Sequence, residues 1–239
     1  MCPGLADGAP ERFGSMVSVA DAGRPRADAL SIGWPEFDDL LPDRGLPRGV
    51  VEVRPPRALG GATSIALAAV RAAQERDERA WCAWIDPDGM LYAPGVAMAG
   101  IDLNRLAIVR APRAAVPRIA VKVVRCQAFD VIVMDMDPVP GAGAVREEGP
   151  SRRRTPKRAG SLEVFVRRLA VLAAEGGATV LLVTDATIPR PAPLPVALRL
   201  ELARTESAIN VRVGKDRHGR SGLTKTVPIH SKPGLELAG

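Results

Sequence analysis

Gly49-Val50-Val51-Glu52-Val53-Arg54-Pro55-Pro56-Arg57-Ala58-Leu59-Gly60-Gly61-Ala62-Thr63-Ser64 is the stretch on which the fold turns. Val50 to Val53 is a short apolar run of the strand type, and Arg54 to Gly61 is a loop by its prolines and glycines. From Thr63 to about Arg79 the chain is rich in alanine, the strongest helix former. A buried strand that passes through a glycine-bearing loop into a helix is the repeating unit of a parallel sheet.

The same alternation extends in both directions. Upstream, Ser31 to Leu41 reads as a turn and a short helix, and Gly45 to Gly49 as a turn. Downstream, Trp81 to Ile85 reads as a buried strand, Val96 to Ala99 as part of a helix, Leu106 to Val109 as a strand and Ala115 to Arg125 as a helix. Phe129 to Met134 is a nearly continuous apolar strand ending in Asp135. Ser161 is placed as the N-cap of a further helix with an apolar face from Val164 to Ala174. Thr179 to Thr184 reads as a strand, and the proline-rich span Ile188 to Pro195 as a loop. Ala197 to Arg204 and Ala208 to Val213 read as two strands around a turn at Glu206, with no helix between them. The expected fold is α/β, a mostly parallel sheet flanked by helices, with an antiparallel extension at its C-terminal edge. Residues 1–28 are expected to be a disordered tail, 29–213 the core with a flexible basic loop at 138–160, and 214–239 a basic C-terminal tail. Trp81 and Trp84 are placed in the core on one strand face, Trp34 on a more open turn, and Cys82 and Cys126 as small core residues.

Composition narrows the function classes. The chain has 239 residues and 46% hydrophobic content, enough for one domain with a sizeable core. Lys+Arg 33 against Asp+Glu 27 gives +6, and 28 of the 33 basic residues are Arg, which leans toward a polyanionic partner. No apolar run reaches membrane-spanning length and no signal peptide is visible, so a cytoplasmic chain without a membrane contact is expected. Three widely spaced Cys and two His make a disulfide framework or a metal site unexpected. Aromatics at 3% leave little for a base-stacking platform.

A phosphate-binding P-loop reads G-x-x-x-x-G-K-[ST] between a strand and a helix. Here the position is right and Gly60 and Gly61 remain, but the first Gly is a Pro and the Lys is replaced by Gly61 or Ala62, depending on a one-residue shift. Leu30 to Trp34, Leu41 and Gly45 to Val53 together resemble the opening of the RecA core. Asp86-Pro87-Asp88 after the second strand, Gly100-Ile101-Asp102-Leu103-Asn104-Arg105-Leu106 before the third, and Phe129 to Asp135 as a Walker B strand resemble its later signatures. The resemblance covers roughly residues 29–215, and the Lys-less, Pro-rich loop on a shortened core is most similar to the ImuA family of the RecA superfamily.

That resemblance implies an accessory protein of DNA-damage-induced translesion synthesis and mutagenesis, within the SOS response. It implies partners in RecA and an ImuB-type Y-family polymerase homologue, with DNA a further candidate. The degenerate phosphate loop comprises Arg57, Gly60, Gly61, Thr63 and Ser64; Asp135 stands at the Walker B position, and Asp137 follows on the same side. Asp88 stands where the RecA pattern has a catalytic Glu, one methylene too short by about 1.5 Å. No catalytic residue, metal or cofactor is expected; weak ATP–Mg²⁺ binding is left open. Candidate DNA or partner contacts are Arg152, Arg153, Arg154, Lys157 and Arg158 in the basic loop, and Lys215, Arg217 and Arg220, which resemble RecA's cross-subunit Lys-x-Lys element. The short span 185–195, and the lack of a recognisable filament hook in residues 1–28, argue against strand exchange and self-assembly. The alternative from the enzyme class is an ATP-dependent DNA-binding recombinase paralogue.

Overall fold

The computed structural model describes residues 29–56, 61–136, 159–188 and 193–228. In chain order the elements are α1 Pro35–Leu40, β1 Gly49–Arg54, α2 Ala62–Arg76, β2 Cys82–Ile85, α3 Ala93–Met98, β3 Leu106–Val109 and α4 Val116–Arg125. They continue with β4 Val131–Asp135, α5 Ala159–Gly176, β5 Thr179–Val183, β6 Leu198–Arg204, β7 Ala208–Asp216 and β8 Thr224–Pro228. The strands form one sheet in the order β3-β2-β4-β5-β1-β6-β7-β8. β3 through β6 run parallel, whereas β7 and β8 are antiparallel additions at the edge beyond β6. This is the expected α/β, RecA-like architecture.

Burial on both faces explains the unbroken apolar runs of β2, β4 and β5. One core holds Val51, Val53, Trp84 and Val211 of the sheet against Phe37 of α1, Ile65 and Ala69 of α2 and Val96 of α3. The other holds Val50, Ile132, Val180 and Leu182 against Val124 of α4 and Leu169 of α5. Right-handed crossovers produce this division. From β1 out to β3 the chain moves one way along the sheet, with α2 and α3 on the first face; returning to β5 it places α4 and α5 on the second. The carboxyl ends of β1, β4 and β5 therefore open where crossovers diverge, the usual place for a ligand in such sheets.

Local polar contacts fix the ends of these elements. Asp38 accepts from Ser31 Oγ at 2.7 Å and from the Ile32 and Gly33 N–H groups at 3.1 and 3.2 Å, which shapes the turn before α1. The signature at 100–106 is a clamp on the end of α2. Gln74 exchanges hydrogen bonds with the Asp102 backbone at 2.9 and 3.0 Å. Arg105 donates to the Asp102 carboxylate at 2.8 Å and to the carbonyls of Gln74, Asp77 and Glu78 at 3.2, 3.3 and 3.1 Å.

The structure corrects four expectations. The chain beyond 213 is not a tail as far as Pro228, because β7 continues to Asp216 and β8 pairs with it, Ile209 opposite Val227. Those strands alternate polar and apolar residues, so their charged positions disguise them as a basic tail. Trp81 is 46% exposed while Trp84 is buried; an odd separation sends two strand side chains to opposite faces. Cys126 is exposed at the C-cap of α4. α5 begins at Ala159, ahead of the expected cap at Ser161. The expected tail at 1–28, and most of the expected loop at 138–160, lie outside the described residues. Among the described residues no helix is long and apolar enough to cross a membrane.

Burial pushes the Cys82 thiol up from an ordinary 9.0 to about 12; Asp130 adds to the shift, and the Val131 backbone hydrogen bond and Arg105 oppose it. The folded chain thus keeps this thiol protonated where the unfolded chain ionises it. The stability gained is complete below pH 9 and is lost as the pH rises toward about 12. In urea titrations above pH 9, Cys82→Ala is expected to flatten the loss of stability relative to the parent chain; parallel falls in both proteins would remove the thiol as its cause.

Candidate functional site

The loop after β1 starts where a phosphate loop would. Its first part is held in place by the Ala186 N–H, which donates to the Pro55 carbonyl at 2.9 Å. Arg57 and Gly60 lie outside the described residues. Gly61 ends the loop as the N-cap of α2 with φ +70°, a conformation open to glycine at no steric cost. A Cβ added to Gly61 would run into Ile209 Cδ1 and lie 3.0 Å from its Cγ1. Ile209 is a buried residue of β7 that also borders the cleft beside α2. Ala62, the other candidate for the Lys position, is buried as well. Thr63 is exposed and Ser64 half-buried. Neither caps the helix, since the N-cap makes no side-chain hydrogen bond. Ser64 instead lines a cleft of about 450 Å³ with Trp34, Leu67, Arg71 and Met98. What remains of a phosphate site is the first turn of α2, whose N–H groups attract anions weakly by themselves.

The carboxylates at neighbouring strand ends divide by role. Asp135 is the last residue of β4, beside Val183 of β5, and Asp137 lies outside the described residues. Asp86 is buried and accepts from the Met90 and Leu91 N–H groups, each at 3.0 Å, so it shapes the turn after β2. Asp88 is engaged by Arg113 from the segment after β3, with Arg113 Nε donating to Oδ1 at 2.9 Å and Nη2 donating to Oδ2. A carboxylate held in this two-pronged pair is not free to take a proton from water or orient it.

Glu52 is the residue that sequence reasoning passed over. It is fully buried in the central strand. Thr184 Oγ1 donates to its Oε1 at 3.0 Å and Arg199 Nε donates to its Oε2 at 2.7 Å. Lys215 stands in the same neighbourhood, its Nζ donating to the Leu194 carbonyl at 3.0 Å. Burial holds the Lys215 ammonium below its ordinary 10.5; the charge of Arg199 adds to this and Glu52 opposes it. The signal was present as one acidic residue inside Val50-Val51-Glu52-Val53, with a matching basic residue in Leu198-Arg199-Leu200. Asp185, after β5, is buried too and accepts from the Thr187 N–H and hydroxyl at 2.7 and 2.6 Å.

Of the basic residues proposed as contacts, the three that are described divide between the interior and the surface. Arg152, Arg153, Arg154, Lys157 and Arg158 lie outside the described residues. Lys215 turns inward as described. Arg220 is an internal latch and not an outward contact: it donates to Asp43 at 3.0 Å, to Asp216 at 2.9 Å and to the Pro42 carbonyl at 2.8 Å. Arg217 alone of the three stays exposed, with its Nε donating to His218 Nε2 at 3.1 Å. No group of three or more His, Cys, Asp and Glu able to hold a metal ion occurs among the described residues.

Comparison with known proteins agrees with the fold. The family described as MT3502 N-terminal domain matches residues 39–159, from α1 to the start of α5. Protein RecA of Kineococcus radiotolerans is 34% identical over 124 residues, 51% of this chain and 35% of that protein. Protein RecA of Corynebacterium aurimucosum is 32% identical over 124 residues, covering 51% and 32%. Protein RecA of Clostridium perfringens is 30% identical over 125 residues, covering 51% and 34%. Each match spans about a third of the length of the curated relative. The chain is therefore RecA-like in sequence as in fold.

Two substitutions test the site as built. Glu52→Gln leaves the Arg199 guanidinium without its counter-charge in a nearly dry setting and is expected to cost about 3 kcal/mol in urea unfolding. Gly61→Lys is expected to lower stability by about 1–3 kcal/mol through the clash with Ile209 and the strained φ. It is expected not to add a Mg²⁺–ATP-dependent rise in melting temperature over that of the parent chain. A restored nucleotide-dependent rise would show that the loop had lost only its Lys.

Proposed function

The chain belongs to the family described as MT3502 N-terminal domain, and from its RecA-like core we propose a non-catalytic accessory protein of DNA-damage-induced translesion synthesis. It acts by binding RecA and an ImuB-type polymerase homologue, as ImuA proteins are expected to, without productive ATP hydrolysis. The observation that carries this reading is the position of Gly61. Of the two candidate places for the P-loop Lys, Gly61 would set a side chain against Ile209 and Ala62 is a small buried residue, so neither supplies the point charge that the β- and γ-phosphates need. The pairing of Asp88 with Arg113 supports it, because the acid that would position water is already neutralised. A scaffold of the RecA type that has lost its chemistry keeps value as a shape, one that fits beside RecA or its partners.

Exposed Arg217 on the β7–β8 turn, and the basic stretch 152–158, are the residues proposed to meet RecA. Direct titration of the purified chain against immobilised RecA of the same cell, at physiological salt, is expected to give saturable binding near micromolar. Arg217→Glu should weaken it. A flat titration, with and without ATP and single-stranded DNA, would remove RecA from the proposal. The competing enzyme reading predicts a melting temperature that rises with Mg²⁺–ATP, since a bound ligand stabilises the fold; the accessory reading predicts none.

A further inference from the structure

On the face of the sheet opposite α2, a groove of about 460 Å³ runs between α4 and α5. Its floor is apolar, made by Pro117, Val121, Val164 and Phe165. Its rim is cationic, made by Arg118, Lys122 and Arg125 of α4 and Arg168 of α5. Steps of three and four residues return to one side of a helix, which brings 118, 121, 122 and 125 together on α4 and 164 with 168 on α5.

Two features set this groove apart from an ordinary solvated surface. Val164 is 66% exposed, although it lies on a helix whose other side packs into the core. The four cations have no carboxylate partner among the described residues. α4 contains no acidic residue at all, and the acid adjoining the groove on α5, Glu163, is engaged by Arg167 at 2.8 Å. Four like charges around one apolar trough repel one another, and a negatively charged occupant relieves that repulsion. The floor decides between two kinds of occupant. A phosphate backbone would meet the rim and leave the apolar floor uncovered. A helix with apolar residues on one side and carboxylates flanking them satisfies both. The span from 118 to 125 is about 10 Å at the helical rise, enough for two turns of such a partner.

We propose that the α4–α5 groove docks an acidic amphipathic helix of a partner protein. Its apolar side chains rest on Val121, Val164 and Phe165, and its carboxylates meet Arg118, Lys122, Arg125 and Arg168. The groove shares no residue with the loop after β1 or with Arg217 on the β7–β8 turn.

Displayed random peptides of about 16 residues, roughly four helical turns, are selected on the immobilised full chain at physiological salt. The selected peptides are then titrated against the parent chain, Val164→Asp, and the double variant Arg118→Glu with Arg125→Glu. A single-stranded DNA of equal length is titrated alongside. All three substituted side chains are exposed, so melting temperatures should match the parent and confirm intact folds. Selected sequences are expected to carry Leu or Phe at three- and four-residue spacing among Asp and Glu. Their affinity should fall at least about tenfold in both variants. Three outcomes overturn the proposal: no peptide selected, selected peptides that lack acidic residues, or peptides that bind the variants as tightly as the parent. A DNA affinity that falls in the charge-reversed variant and not in Val164→Asp, and that excludes the peptide, would reassign the surface to phosphate.

Discussion

Glu52 lies fully buried in β1 with one carboxylate oxygen held by Thr184 and the other by Arg199. Those partners sit beyond the end of β5 and in β6, the two strands that flank β1. A charge taken out of water needs a counter-charge and hydrogen bonds in place before it can be tolerated. The central strand is therefore acceptable only when both neighbours stand in register. A slip of β6 would part Arg199 from Glu52 and a slip of β5 would take away the Thr184 hydroxyl, so these contacts act as a check on alignment that uniform valine and leucine strands cannot supply. The apolar contacts give the sheet its stability, and this polar pair narrows the ways it can be assembled.

The carboxyl edge of the sheet is fastened by its own polar and small residues. At each strand end a group that could serve chemistry is bound within the chain. Asp86 shapes a turn, Asp88 is locked by Arg113, and Gly61 makes room for Ile209. The same fastening reaches the basic residues near the C-terminal edge. Arg220 ties the β7–β8 connection to Pro42 and Asp43 at the end of α1, so the hairpin is fastened to the N-terminal part of the domain. Lys215 and Arg220, which look like part of a binding patch when read along the chain, turn out to hold it together.

Much of the architecture was legible because buried parallel strands write themselves as apolar runs. Phe129 to Met134, Thr179 to Thr184 and the alanine-rich helix after Gly61 were all recognisable in this way. The last strands were harder. β8 reads Thr-Lys-Thr-Val-Pro, with Val227 its one buried residue, and an edge strand of that kind has no signature apart from its partner. The candidate site was legible in position and not in detail. The missing Lys could be seen, but not the isoleucine from β7 that packs against Gly61, because the two are brought together only by the fold. Arg113 and Arg199 were missed for the same reason: a lone arginine reveals its partner only when the sheet is assembled.

The order of the strands in space is far from their order of synthesis. Glu52 meets Thr184 across 132 residues and Arg199 across 147. While a ribosome makes this chain, β1 emerges early and has no neighbour to pair with until β5 and then β6 have followed. For that interval Val50, Val51 and Val53 form the kind of short, sticky segment that joins other nascent chains into aggregates. The carboxylate between them is then exposed and charged, which is what discourages such stacking. The side chain that later settles into the driest part of the domain thus protects the chain while it is still being made.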